Sequence, residues 1–291
     1  MTSYSGFLNI DKPLGMTSHD VVAAVRRSLH MKKVGHAGTL DPLATGVLVV
    51  CLGGATRLSE YVMASTKRYR ARVRLGAVTN TYDAEGEPQP VAEPMHLTQA
   101  DVEAIFPRFL GAIQQLPPIY SAIKRDGKKL YQLARAGETV ELEARTVTIH
   151  ALTITDWALP EFTLEVVCGP GTYIRSLAHD IGQVLGVGGY LAGLVRTASG
   201  AFTLESAVTL DALGQGEPST LIAPPEVAVA GWPEVRLDDS ALDHVLHGRS
   251  LANADVADET LAAAYTPNGA FIAVLRAEAG VWRPLKVFSE A

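Results

Sequence analysis

Residues 67–76 alternate in steps of two. Tyr69, Ala71, Val73 and Leu75 fall on one side, and Arg68, Arg70, Arg72 and Arg74 on the other. Successive side chains of a strand point to opposite faces, so this period belongs to a half-buried sheet and not to a helix. A strand with one apolar face needs neighbours to pair with and a core to cover it. Candidates recur along the chain. There is a short run at 6–10, a continuous apolar run at 47–52, and further runs at 146–157, 162–168 and 190–202. Helical spacing is rarer. Val21, Val22, Val25 and Leu29 form one stripe, with Thr17 or Ser18 as its cap. Shorter helices are expected at 59–65 and at 97–110, the latter capped by Thr98. Thr172 is the expected cap of an amphipathic helix through Ile174, Leu177, Ala178, Ile181 and Leu185. Many strands and few helices predict an α+β fold with a mostly antiparallel sheet.

At 291 residues the chain suffices for one large domain, or for a large one and a small one. No apolar run reaches the roughly 18 residues of a membrane helix. The first residues show no basic segment followed by an apolar one. A cytoplasmic protein without membrane contact is the expectation. Cys51 and Cys168 lie in apolar, strand-like runs and read as buried free thiols, in keeping with a reducing compartment. Residues 213–233 are rich in Gly, Pro, Ala and Ser. They read as a linker between a domain at 1–212 and a small β-rich one at 234–291, whose clearest strands are 270–275 and 285–288.

The net charge of −6 hides a division: residues 1–75 hold 11 Lys/Arg against 4 Asp/Glu, whereas 200–291 hold 5 against 13. Such segregation suits a basic face for a polyanion, with an acidic remainder that keeps the protein soluble. The alternating arginines fit either an exposed sheet face or a ribbon laid against an RNA backbone. Lys124, Arg125, Lys128 and Lys129 form a basic turn flanked by Tyr120 and Tyr131. That composition suits either a grip on RNA or a solvated loop.

Chemistry points to residues 35–46, Gly-His-Ala-Gly-Thr-Leu-Asp-Pro-Leu-Ala-Thr-Gly, a shaped loop feeding the 47–52 strand. Its one carboxylate is Asp41. Taken alone, Asp41 fits a helix cap, a Mg²⁺ ligand, a phosphoryl carrier, a turn residue or a nucleophile. The loop lacks the Gly-Lys-Ser/Thr ending of a P-loop and the spacing of a dinucleotide fingerprint. No His/Cys/Asp/Glu cluster has metal-ligand spacing, so no metal is expected.

These twelve residues resemble the signature loop of the TruB family of tRNA pseudouridine synthases. Three further stretches match in order. Asp11-Lys12-Pro13-Leu14-Gly15-Met16-Thr17-Ser18 resembles the N-terminal motif, Lys67-Arg68-Tyr69-Arg70 the tyrosine motif, and Gly171-Thr172-Tyr173-Ile174-Arg175-Ser176-Leu177 the arginine motif. The resemblance covers about residues 6–210 and extends loosely to a reduced PUA-like RNA-binding domain at the C-terminus. It implies the pseudouridine synthase core, with a mixed sheet and flanking helices, and a thumb-like RNA-binding insertion at about 120–145. Asp238, Asp239, Asp243, Asp255, Asp258 and Glu259 crowd the C-terminal module and argue against a strong grip on phosphate. Arg249 and Lys286 are its candidate contacts to an acceptor stem.

The implied activity is isomerisation of uridine to pseudouridine at position 55, in the T loop of tRNA. A monomer would perform it without cofactor, metal or obligatory protein partner. Asp41 would be the nucleophile, attacking either the ribose anomeric carbon or carbon 6 of the base. A covalent step divides one hard substitution into two easier ones. Arg175 would pair with Asp41 and favour its ionised form. Tyr69 would stack on the extracted base, Tyr173 touch the nucleotide, Leu194 wall the pocket and Arg196 contact phosphate. The target base must leave its stack, and His36 matches the residue that fills the gap. Lys124, Lys128 and Lys129 of the thumb would hold the T arm. Two other readings stand beside this one: a tRNA-binding folding helper, and a guide-dependent pseudouridine synthase acting on other RNAs.

Overall fold

The computed structural model describes residues 4–118, 143–215, 217–252 and 255–288, with the backbone of 124–125 and 128–129. The Lys67–Leu75 strand is buried and exposed at strictly alternate positions, as its sequence period requires. It lies in a sheet of ten strands among the described residues. The order runs Ile222–Ala223, Gly6–Lys12, Ala44–Leu52, Gly189–Ser199, Lys67–Leu75, Glu161–Cys168, Arg145–Ala158 and Gly111–Gln115. Val34–His36 and Phe202–Thr203 attach beside this path. One pair is parallel, Gly189–Ser199 against Ala44–Leu52, and the other pairs of this sheet are antiparallel. The expected mixed, mostly antiparallel α+β sheet is the one observed.

The continuous apolar run at 47–52 is buried throughout because both faces of its strand are covered. Leu48, Val50 and Leu52 pack with Val21, Val22 and Val25 of the Ser18–Ser28 helix and with Leu177 and Ile181 of the Ile174–Val184 helix. Val47, Val49 and Cys51 pack instead with Ala263 and Val274 of the C-terminal module. Fully burying each Val or Leu here contributes about 1.5–3 kcal/mol relative to leaving it exposed. Cys51 and Cys168 are free and buried, and burial pushes their thiols up to about 12 and about 11.

Helix ends differ from the expectation in informative ways. Thr17 caps the first helix through a reciprocal capping box with Asp20. Ser18 is buried and works elsewhere, as described below. Thr98 caps a helix by the same device with Asp101, but this helix spans only Gln99–Glu103, and a 3₁₀ turn at Phe106–Arg108 contains Pro107. Thr172 does not cap the Ile174–Val184 helix; its hydroxyl donates to the Gly169 carbonyl at 3.1 Å, and Tyr173 takes the capping position.

The stretch expected as a linker belongs to the fold. Ile222–Ala223 pairs with Phe7 and Leu8 at the edge of the central sheet, and Val229 is buried. Beyond it, five strands order as Glu234–Arg236, Leu261–Tyr265, Phe271–Glu278, Val281–Val287 and Leu251–Ala252. Lys286 does not face outward for an acceptor stem. Its ammonium meets the Glu60 carboxylate and the Arg57 carbonyl and lies 5.0 Å from the Tyr61 ring centre, joining the module to the core. Arg249 lies 3.6 Å from Asp243. The acidic crowd is likewise used locally: Asp238 caps the Asp239–Leu246 helix, Asp258 accepts the Ala279 amide, and Glu259 pairs with Arg276. Among the described residues no helix is long and apolar enough to cross a membrane. Tyr120 and Tyr131, and most of the expected thumb, lie outside the described residues. There Lys124–Arg125 and Lys128–Lys129 pair as two short antiparallel strands.

Candidate active site

The loop that carries Asp41 is held from several directions. Ser18 brackets Leu40, donating its hydroxyl to the Leu40 carbonyl at 2.9 Å and accepting the Leu40 amide at 2.8 Å. The Gly15 amide donates to the Pro42 carbonyl at 2.9 Å, which fastens the N-terminal turn to the loop. Lys12 is wholly buried, and its ammonium donates to the carbonyls of Pro13 and Met16 at 2.9 and 2.6 Å. On the other side stands Arg196, 1% exposed. Its guanidinium donates to the carbonyls of Val47 at 2.6 Å, Gly38 at 3.1 Å and Thr39 at 3.4 Å. The guanidinium braces the loop, and Arg196 also lines the cleft beside it. Gly46 is required at the same junction. It has φ +92°, and a Cβ there would stand 2.4 Å from the Arg196 carbonyl oxygen.

The sheet brings the remaining residues to this loop. Leu194 pairs with Ala44 on one neighbour and Ala71 on the other, and Arg196 lies opposite both Gly46 and Tyr69. Tyr69 is thereby placed beside the Asp41 loop although 28 residues separate it from Asp41. Gln115 clamps the backbone of Tyr173, accepting its amide at 2.8 Å and donating to its carbonyl at 3.0 Å, just ahead of Arg175. A cleft of about 340 Å³ results, lined by Asp41, Lys67, Tyr69, Tyr173, Arg175 and Leu194 among others. That volume lies in the range of small-molecule sites.

Arg175 reaches Asp41 at 3.0 Å through one terminal nitrogen. Its other terminal nitrogen meets Asp83 at 3.2 Å and the Thr81 carbonyl at 3.3 Å. The Asp83 side chain is 1% exposed and accepts the Thr81 hydroxyl at 2.6 Å and the Glu85 amide at 3.0 Å. By contrast, the Asp41 side chain keeps 41% of its surface open, so a substrate can reach it. Burial in the cleft pushes Asp41 above its ordinary pKa. Arg175 pulls it back, Asp83 adds to the rise, and the net direction is upward. Burial outweighs the attraction of Arg175. Tyr69 is also pushed up by burial and stays a neutral phenol at ordinary pH. Lys67 donates to the carbonyls of Val62, Met63 and Ser65, and burial lowers it to about 8.

His36 stands apart from the others and is not among the cleft-lining residues. It ends the Val34–His36 strand opposite Val50, with its ring edge-on to His19 at 6.0 Å between centres. Burial lowers its pKa. Asp83 is not singled out by the sequence, where it lies in a stretch containing Gly, Pro and other acids. Its pairing with Arg175 spans 92 positions, and an acid in a turn-rich stretch carries no sign of burial. Tyr82, beside it, adopts φ 62° and stacks on His179 with centres 3.9 Å apart and planes 13° from parallel. His179 stands one helical turn beyond Arg175. Among the described residues no three His, Cys, Asp or Glu side chains converge as a metal site.

An open carboxylate, an arginine on it and a neutral phenol across the cleft make a site for carboxylate chemistry on a substrate of about nucleoside size. Residues 26–174 match the model of the TruB family pseudouridylate synthase N-terminal domain. Residues 175–230 match the tRNA pseudouridylate synthase B C-terminal domain, and 232–289 the tRNA pseudouridine synthase II C-terminal domain. A tRNA pseudouridine synthase B from Cupriavidus metallidurans is 47% identical over 96% of this chain and 92% of its own. Another from Symbiobacterium thermophilum is 50% identical over 84% and 82%. Among solved structures, a chain of an H/ACA RNP bound to a substrate RNA containing 2'-deoxyuridine superposes with a TM-score of 0.75 at 28% identity. The match covers 98% of this chain and 85% of that one. A chain of an archaeal box H/ACA sRNP complex gives 0.74 at 30% identity, covering 98% and 86%. The fold is that of a pseudouridine synthase, an isomerase. The chain belongs to the TruB family.

Proposed function

We propose that this protein converts uridine to pseudouridine in tRNA, at position 55 of the T loop, with Asp41 as the nucleophile. The observation that carries the reading is the 3.0 Å contact of Arg175 with an Asp41 that is still open to the cleft shared with Tyr69. The ionised carboxylate attacks the everted nucleotide at the anomeric carbon or at carbon 6 of the base. By the first route the C1'–N1 bond breaks as the ester forms. By the second the base becomes an adduct through which it is detached. Either way the base turns, C5 bonds to C1', Asp41 is released as a carboxylate, and the proton lost from C5 is balanced by one taken up at N1, so the product is an isomer of the substrate. Arg175 aims the carboxylate and stabilises its charge. Tyr69 stacks on the base and exchanges protons as a neutral phenol. Leu194 walls the pocket and Tyr173 touches the nucleotide.

Residues 1–212 then form the catalytic domain and 234–291 a reduced PUA-like module, with residues 120–145 as the thumb whose Lys124, Lys128 and Lys129 hold the T arm. His36 fills the gap left by the flipped base. The enzyme acts as a monomer without a guide or protein partner. Asp41→Asn tests the nucleophile: RNA affinity is retained and pseudouridine disappears from a T-arm hairpin. Turnover undiminished in that variant refutes the assignment and leaves the folding-helper reading. Wild-type protein that modifies the hairpin only when a guide RNA is added selects the guide-dependent alternative.

A further inference from the structure

The fold consumes most of the 11 Lys and Arg in residues 1–75. Lys12 and Lys67 are buried on backbone carbonyls. Arg57 donates to the Val287 carbonyl at 2.6 Å and lies over Phe288 at 5.2 Å. Arg70 pairs with Glu165, and Arg72 and Arg74 with Glu161, each at 3.2 Å. Three arginines of the ribbon are thereby engaged by two glutamates. Arg68 and four others are left, and those four stand together. Arg26 and Arg27 close the Ser18–Ser28 helix, Lys32 and Lys33 follow it, and all four are exposed, as is His30 between them. Among the described residues none of the four has a carboxylate partner. Arg26 has one bond, to the Val34 carbonyl at 2.6 Å.

A helix C-terminus attracts cations, but only within its last turn. That accounts for Arg26 and Arg27 and not for Lys32 and Lys33. Four like charges within eight residues repel one another in the free protein, and a polyanion relieves them. The segment is also fixed in place: the Gly53 amide donates to the Lys33 carbonyl at 2.9 Å, and Val34 pairs with Leu52. From there the chain runs straight into the Asp41 loop. Lys33 precedes Asp41 by eight residues, so the two lie at most about 28 Å apart.

We propose that Arg26, Arg27, Lys32 and Lys33 dock the phosphodiester backbone of the RNA whose uridine enters the cleft, at nucleotides outside the cleft. This rests on the RNA-modifying reading of the Asp41 site, but its test does not depend on catalysis. Affinity for unmodified tRNA is measured over a series of salt concentrations for wild type and Lys32→Gln/Lys33→Gln, with thermal melts to check folding. Single-turnover pseudouridine formation is followed at saturating RNA. Neutralising two phosphate contacts lowers the slope of log K against log salt by about 1.5. Affinity at low salt falls about tenfold or more, and the saturated rate is unchanged. A slope and affinity equal to wild type overturn the surface. So does a loss of saturated rate without a change of slope, because the lysines then act through the loop. Wild-type protein that binds tRNA with a normal slope yet forms no pseudouridine refutes the catalytic reading instead.

Discussion

Asp83 holds Arg175 from the protein interior, 3.2 Å from one terminal nitrogen of the guanidinium, while the other nitrogen faces the cleft. The interior contact is the more rigid of the two. Asp83 is itself tied by the Thr81 hydroxyl and the Glu85 amide, and Tyr82 between them is pinned by its stack on His179. Arg175 thus arrives at Asp41 already oriented, as a preorganised site requires.

Asp83→Asn removes a charge from a buried pair without changing its shape. Breaking such a pair costs about 3–5 kcal/mol, and the melting temperature falls accordingly. Loss of aim at Asp41 lowers single-turnover pseudouridine formation by about 10²-fold, while tRNA affinity holds. A variant with wild-type rate shows that Asp83 is purely structural.

Arg196→Lys exchanges a planar fork for a point charge. A lysine cannot reach the carbonyls of Val47, Gly38 and Thr39 together, so two or more buried acceptors lose their donor at about 1–3 kcal/mol each. The expected result is a lower melting temperature and a turnover loss of at least tenfold. Direct phosphate binding by Arg196 would instead appear as a weaker salt dependence of RNA affinity, with an unchanged melt.

Asp180 gives a pH test. Burial raises its carboxyl to about 6 from an ordinary 3.8. The ionised form is disfavoured in the folded protein and not in the unfolded chain, so the cost to stability is full above about pH 6. It fades as pH falls towards 3.8. Asp180→Asn therefore stabilises at pH 7, by about 1 kcal/mol once solvent screening of this half-buried carboxylate is allowed for, and the gain vanishes near pH 4 in denaturant melts. A gain independent of pH refutes the burial argument.

Lys286→Ala separates two roles for the C-terminal module. Lys286 is engaged with Glu60, Arg57 and Tyr61 of the core, its side chain only 18% exposed. The variant loses about 1 kcal/mol of stability and becomes more sensitive to proteolysis between core and module, with RNA affinity unchanged. A specific loss of tRNA affinity at an unaltered melt restores the acceptor-stem contact.

Much of this protein is legible along the chain. The period of two at 67–76, the apolar run at 47–52 and the stripe of Val21, Val22 and Val25 depend only on neighbours in sequence, because strand and helix geometry sort side chains locally. The candidate residues Asp41, Tyr69, Tyr173 and Arg175 lie within motifs that recur in one order, and Leu194 matches a pocket position outside them. Which groups share a guanidinium, which lysines are spent on carbonyls and which remain for a partner was decided by tertiary structure alone. Asp83 meets Arg175 across 92 residues, and Arg196 braces a loop more than 150 positions away. Such pairings follow from sheet order and close packing, which no local pattern encodes. Burial then sets the charge of each group according to what surrounds it.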